Sequence, residues 1–329
     1  MSLLRATARH GVLLCLIASP TLAAEPDLSA AAVNGAVFDG TAPDTAERSA
    51  LAIKTQVLLD RLHFSPGVID GYWGENVAKA IAAYEEANGL QADGQLDSEV
   101  WAKLTAAGDA DIITIYTLSD ADLKEPYVDE IPEDYAAMAQ LERLSFTGPA
   151  EMLAERFHMD RKLFDLLNPD AAFDQPGVPL TVTGTGDAKP QGKAATIVIS
   201  RSSGSLRALD AEEKLLAFYP VSVGSDSVPS PTGTHTIKNV VPMPNYAYRP
   251  EVNFQQGQLT ENLMIPPGPN GPVGSVWIGL DKPTYGIHGT AEPSPIGKHF
   301  SHGCARLTNW DAEELATLVA PGITVTFVD

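Results

Sequence analysis

Apolar residues recur at helical spacing in the first third of the chain. One stripe runs from Leu51 to Leu62 and a second from Val77 to Tyr84, each on one face of a 3.6-residue repeat. A third short helix is predicted after Asp97, because aspartate caps helix N-termini by accepting backbone N–H bonds. Turns rich in glycine separate the three stripes. The pattern therefore predicts a compact three-helix unit.

A smaller unit with two strands and two helices is predicted downstream. Residues 112–116 and 176–182 have the composition of strands, and residues 150–158 and 163–167 have helical periodicity. A polar and acidic stretch that ends near Arg143 separates the first strand from the first helix. We interpret this stretch as an insertion or a loop.

The hydrophobic period falls to two in the last part of the chain. This alternation predicts strands at residues 196–199, 214–219, 235–237, 276–278 and 324–328. A single clear helix is predicted from Asp311 to Val319, with Asn309 as its N-cap. Many short strands joined by Gly and Pro turns favour a mainly β sandwich or barrel. The whole chain is therefore predicted to be a multidomain α+β protein.

The N-terminus has the features of a secretory signal. Arg5 and Arg9 precede an apolar run too short to span a bilayer, and small residues follow near Ala23. We predict a signal peptide over residues 1–23 and a periplasmic protein; a buried N-terminal helix is the alternative. Leu14 stands where a lipoprotein signal would have a small residue, so no membrane anchor is expected.

Changes in composition give the remaining boundaries. We predict a flexible leader (24–45), a three-helix domain (46–107) and a two-helix module with an insertion (108–184). A linker (185–193) and a β-rich domain (194–329) follow. The formal net charge is −20 at pH 7. Because phosphates would repel so acidic a chain, nucleic acid is excluded as a partner.

Cys304 is the one cysteine that remains once the predicted signal peptide is removed. A lone thiol in an oxidising compartment cannot form an internal disulfide, which favours a role as a nucleophile. Such a thiol needs a base, and both His288 and His302 qualify by position. The spacing alone does not choose between them. A zinc site that also includes His299 is an alternative, but no second ligand pair supports it.

The sequence around these residues resembles the catalytic domain of the L,D-transpeptidases, which remodel bacterial peptidoglycan. The resemblance rests on a two-part signature, His288-Gly289-Thr290 followed by Ser301-His302-Gly303-Cys304-Ala305-Arg306-Leu307. It implies that Cys304 is the nucleophile, that His288 is its base, and that the Gly289 carbonyl orients the imidazole. It also implies an oxyanion site at the Gly303 backbone and a substrate-binding set of Ser301, His302, Arg306 and Tyr285.

The two upstream units carry resemblances of their own. Residues Gln56 to Leu104 resemble the three-helix peptidoglycan-binding domain, through segments such as Asp70-Gly71-Tyr72-Trp73-Gly74. The second unit is similar to a LysM module, a βααβ unit that binds N-acetylglucosamine polymers, through Leu167-Asn168-Pro169 and Pro176-Gly177. Its long insertion departs from that pattern, so a structural spacer is the alternative to glycan binding.

The catalytic resemblance implies acyl transfer without a cofactor or metal. The thiolate attacks a tetrapeptide stem, releases D-Ala and forms a thioester, which an amine then takes. A second stem as acceptor gives a 3→3 cross-link, a lysine of an outer-membrane protein gives covalent anchoring, and water gives L,D-carboxypeptidase activity. A catalytically inactive peptidoglycan-binding protein is the remaining alternative.

Overall fold

The computed structural model describes residues 26–108, 110–225, 228–252, 255–301 and 303–329. The predicted signal peptide lies outside these residues. Within them, no helix has both the length and the apolar character needed to cross a membrane.

The predicted three-helix unit is present. Its helices are α2 (Ala50–Arg61), α3 (Glu75–Ala87) and α4 (Ser98–Ala106). Asp97 caps α4 as predicted, because its carboxylate accepts hydrogen bonds from the backbone N–H groups of Glu99 and Val100.

The segment predicted to be a flexible leader contains a short helix, α1 (Ala30–Asn34). Val33 of this helix is completely buried, and the Asn34 side chain both donates to and accepts from the backbone of Ile113. The prediction of a flexible leader over residues 24–45 was therefore wrong at Ala30–Asn34, which form this helix. These contacts come from a distant segment, so local composition did not indicate them.

The second unit forms the predicted two-stranded, two-helix arrangement. Strand β1 (Ile113–Thr117) pairs antiparallel with β2 (Pro179–Thr183), and α7 (Pro149–Arg156) and α8 (Arg161–Leu167) lie between them in sequence. The predicted insertion is partly helical, with the single turns α5 (Asp120–Leu123) and α6 (Tyr135–Met138).

The C-terminal domain is mainly β, as predicted, and its centre is one curled eight-stranded sheet. Its strands are β3 (Thr196–Ser200), β4 (Ser205–Leu209), β5 (Leu215–Pro220), β6 (Gly233–Pro242), β9 (Val276–Leu280), β10 (Gly286–His288), β11 (Ala305–Arg306) and β12 (Thr324–Val328). They are ordered β11-β10-β9-β6-β12-β3-β4-β5. A separate hairpin pairs β7 (Tyr246–Tyr248) with β8 (Leu263–Ile265).

Helix α9 (Asn309–Leu318) covers the sheet, and its cap differs from the prediction. Thr308 is the N-cap, since its hydroxyl accepts the Asp311 N–H. The Asn309 side chain is buried, where it accepts from the Ser275 N–H and donates to a carboxylate oxygen of Glu155. Asn309 therefore joins the middle module to the catalytic domain.

The three units share backbone contacts. The Ser65 N–H donates to the Phe218 carbonyl at 2.9 Å, which links the three-helix domain to strand β5. Ile69 forms a bridge with Met159 of the middle module. A single apolar core runs through both upstream units and includes Leu215 and Phe218 of the sheet. The catalytic domain is therefore packed directly against the upstream units.

Candidate active site

The register of two short strands brings the candidate catalytic residues together. Strand β10 pairs with β11 in parallel, with His288 opposite Arg306. Cys304 immediately precedes β11, so the parallel register places it at the Gly286 end of β10, while His288 is at the other end. His288 therefore lies on the strand next to the segment that carries the thiol, and both residues line one cleft.

His288 is buried, with 5% of its surface exposed. Its Nδ1 lies 2.7 Å from the Gly289 carbonyl oxygen, which can only accept, so Nδ1 carries the proton and Nε2 is left as an acceptor. The ring stacks on Trp277 at 5.8 Å between centroids. Burial, with a smaller contribution from the charge of Arg306, lowers the pKa of His288 to about 4, although the hydrogen bond to Gly289 opposes this shift. The imidazole is therefore neutral at neutral pH.

Cys304 is half-buried, and its thiol donates to the Thr284 carbonyl at 3.7 Å. Burial raises the pKa of the thiol, while a backbone hydrogen bond from Gly286 and the charge of Arg306 lower it. Thr284 has φ 70°, a left-handed conformation that is strained for a β-branched residue. The free site therefore holds a neutral thiol beside a strained turn.

The turn before Cys304 is held by its own hydrogen bonds. The Ser301 hydroxyl donates to the Cys304 carbonyl at 2.5 Å and accepts from the Gly303 N–H at 3.2 Å. Gly303 has φ 106°, which favours glycine, and its carbonyl accepts from Ser230 Oγ at 2.7 Å. The hydroxyl of Ser301 and the amide of Gly303 are thus already engaged. His302, the second candidate histidine, lies outside the described residues.

Cys304 opens into a cleft of about 750 Å³. Arg306, Tyr285 and Ser301 line this cleft together with His288. The Arg306 Nε is buried and has no hydrogen-bond partner among the residues that the structure describes. Such a guanidinium is suited to a carboxylate. In the described part of the chain, no group of three or more His, Cys, Asp or Glu side chains could hold a metal ion.

Two aromatic residues that line the cleft were not predicted from the sequence. Tyr246 of β7 and Tyr135 of α6 both line the cleft, although Tyr135 belongs to the insertion of the middle module. No local pattern distinguishes Tyr135 from a surface aromatic residue. Tyr135 could be assigned to the cleft only once the structure showed that the insertion packs against the hairpin of β7 and β8.

Two segments of the chain match known protein families. Residues 194–328 match the family model for the L,D-transpeptidase catalytic domain, and residues 49–104 match the model described as "Putative peptidoglycan binding domain". The likeness of the middle module to a LysM module is not confirmed by these two matches.

Two Bacillus proteins, each named "Putative L,D-transpeptidase YkuD", are similar to this chain. The one from Bacillus licheniformis is 31% identical over 175 residues, which cover 53% of this chain and 90% of that protein. The one from Bacillus subtilis is 35% identical over 118 residues, or 36% of this chain and 57% of that protein. A solved L,D-transpeptidase of Stackebrandtia nassauensis is 14% identical with a TM-score of 0.34, covering 89% of this chain and 98% of that chain. By its similarity to the B. licheniformis protein and its matching catalytic domain, this chain belongs to the L,D-transpeptidase family.

Proposed function

We propose that this protein is a periplasmic peptidoglycan L,D-transpeptidase that works through a thioester at Cys304. The single observation that carries the proposal is the pairing of β10 with β11. Alongside this pairing, Cys304, the neutral His288 and Arg306 line one cleft, and the Arg306 Nε has no hydrogen-bond partner among the residues that the structure describes. The peptidoglycan-binding domain supports the same substrate, because it would hold the catalytic domain at the wall.

The first half of the reaction forms the acyl-enzyme. Since the thiol and the imidazole are both neutral, the Cys304 proton passes to His288 Nε2 as sulfur attacks the carbonyl of an L-centre residue, for which we propose diaminopimelate. The C–N bond to D-Ala breaks, and His288 returns the proton to the leaving amine. The Gly289 carbonyl holds the imidazole in the tautomer that this transfer needs.

The second half regenerates the thiol. A neutral amine attacks the thioester, the C–S bond breaks, and the amine proton returns to sulfur through His288. We propose the amine of a second stem as acceptor, which gives a 3→3 cross-link. Water would give L,D-carboxypeptidase activity, and a lysine of an outer-membrane protein would give anchoring.

The remaining residues have supporting roles in this proposal. Arg306 and Tyr285, which line the cleft, bind the donor, and we propose the same role for His302, two residues before Cys304 in sequence. Ser301 keeps the Cys304 turn in place. The Gly303 amide can stabilise an oxyanion only if it gives up its hydrogen bond to Ser301. We therefore propose that the Cys304 amide contributes more of the oxyanion stabilisation.

Intact-mass analysis after incubation with a purified disaccharide-tetrapeptide tests the proposal. We expect an adduct on Cys304, loss of D-Ala, and dimeric muropeptides in the same reaction. A tripeptide product alone would indicate hydrolysis in place of cross-linking. The Cys304→Ala variant is the matched control and should give neither adduct nor product. If the wild-type protein also gives neither, the proposed donor is wrong and the inactive binding protein becomes the better reading.

A further inference from the structure

The insertion of the middle module forms a closed loop that reaches the catalytic cleft. We call residues 128–146 the capping insert. Its ends meet where the Val128 N–H donates to the Phe146 carbonyl at 3.0 Å, and its middle is helix α6. It belongs to neither of the segments that match family models, residues 49–104 and 194–328.

The capping insert is fixed to the catalytic domain by hydrogen bonds at two places, one through a side chain and one through the backbone. The Gln256 side chain accepts from the Tyr135 N–H and donates to the Glu133 carbonyl, both at 2.8 Å. The Leu144 N–H donates to the Pro267 carbonyl, and the Leu144 carbonyl accepts from the Asn270 N–H, both at 3.0 Å. These bonds define the position of the insert.

Aromatic packing places Tyr135 against the hairpin. Its ring meets Tyr248 edge to face at 5.0 Å and Tyr246 at 5.8 Å between centroids. Leu144 and Ile265 complete the small buried cluster beneath them. We call Tyr135, Tyr246 and Tyr248 the aromatic cap.

Tyr135 faces the same cleft as the catalytic residues. It lines the cleft together with Cys304, His288 and Arg306. Burial raises the pKa of Tyr135 to about 12, and the charge of Arg306 opposes that rise. The phenol is therefore neutral at physiological pH and able to donate a hydrogen bond. Arg306 presents an Nε that has no partner among the described residues.

We infer that Tyr135 is a substrate-binding residue of the catalytic cleft and that it recognises, together with Arg306, a carboxylate of the peptide donor. This inference rests on the proposed function. A phenol O–H and a guanidinium are both donors, and a carboxylate that enters the cleft can accept hydrogen bonds from both. Two carboxylates of the proposed donor flank the scissile amide, the terminal one of D-alanine and the side-chain one of diaminopimelate.

The test compares Tyr135→Phe with wild type on three tetrapeptide donors. One donor has both carboxylates free, one has an amide at the D-alanine terminus, and one has an amide on the diaminopimelate side chain. Loss of one hydrogen bond to a charged group should lower kcat/KM of the variant about tenfold on the free donor. On one amidated donor the two enzymes should differ less than about twofold, because the carboxylate that the phenol binds is gone. That donor identifies the carboxylate.

Tyr127→Phe is the matched control. Tyr127 precedes the capping insert, and its hydroxyl donates to the Asp122 carbonyl away from the cleft, so its loss should leave all three ratios unchanged. The phenylalanine at position 135 keeps the ring contacts, and an unchanged melting temperature checks that it folds.

The outcomes separate the inference from the proposed function. An inactive wild-type enzyme on all three donors overturns the proposed function. An active wild-type enzyme that Tyr135→Phe equals on every donor overturns the role of Tyr135 alone. An equal loss on all three donors also overturns it, since that pattern indicates a structural effect.

Discussion

The two walls of the cleft are built in opposite ways. The wall that carries His288, Cys304 and Arg306 comes from two paired strands and the residue before one of them, and its two-part motif lies within residues 288–307. The aromatic cap joins segments that are far apart, since Tyr135 and its partner Gln256 are 121 residues apart. The first wall is suited to the proposed reaction, which needs fixed distances between the reacting groups. The second wall is suited to binding the substrate. The difference teaches that reactivity and substrate choice can be altered separately.

The largest expected effect comes from the wall that carries the chemistry. Cys304→Ser should lower acyl transfer at least about 10³-fold, because a neutral imidazole with a pKa of about 4 is too weak a base to activate a hydroxyl. D-Ala release from the tetrapeptide measures the loss. The melting temperature should stay within about 2 °C of wild type, because the volumes are similar. A fully active variant would remove Cys304 from the mechanism.

His288→Gln should have the next largest effect. Glutamine keeps a polar group but cannot accept the thiol proton, so kcat/KM should fall about 10²- to 10⁴-fold. In wild type, activity should be lost as pH falls through about 4, because protonation of His288 removes the base. The residual activity of the variant should lack this acid limb. A variant that retains the same limb would show that another group is the base.

Leu144→Ala should affect the aromatic cap without changing the chemistry. Leu144 is fully buried beneath Tyr135 and Tyr248, so truncation should destabilise the cluster by about 2–4 kcal/mol. We expect KM to rise about fivefold while alkylation of Cys304 by iodoacetamide keeps its wild-type rate. Leu58→Ala removes an equally buried leucine from helix α2 and is the control for lost stability. An equal rise of KM in both variants would contradict a local role of the cap.

The smallest effect is expected behind the cleft, where the middle module meets helix α9. Burial raises the pKa of Glu155 to about 8, and its hydrogen bond from Asn309 lowers it. An unfolded glutamate titrates near 4.5. Between about 4.5 and 8 the unfolded state releases a proton that the folded state keeps, so stability falls as pH rises through this range.

Glu155→Gln should remove that dependence. Glutamine can still accept the Asn309 bond and carries no charge. The variant should match wild type at pH 5 and be more stable by about 1–3 kcal/mol at pH 8.5, as measured by urea unfolding at both values. Glu212→Gln, at an exposed turn, should change neither. A variant that is less stable than wild type at pH 8.5 would mean that the Glu155 carboxylate stabilises the interface.

Neighbouring residues in the sequence were sufficient to predict those elements whose hydrogen bonds are formed within the element itself. Asp97 predicted the start of α4 because the cap and the amides that it binds lie within three residues. The same reasoning chose Asn309 as the cap of α9 and was wrong, because a buried contact with Glu155 uses that side chain while Thr308 caps the helix. Strand β4 and the hairpin of β7 and β8 were not predicted, since their partners are set by tertiary pairing.

The sequence by itself determined which chemistry we propose for this protein. Cys304, two histidines and an arginine in a fixed order predict a nucleophile, a base and an anion-binding group, because reactivity depends on residue type. Only the tertiary structure decided that His288 is neutral and protonated on Nδ1, and that Tyr135 faces the cleft. Burial and contacts between distant segments set these properties, and both arise only when the chain has folded.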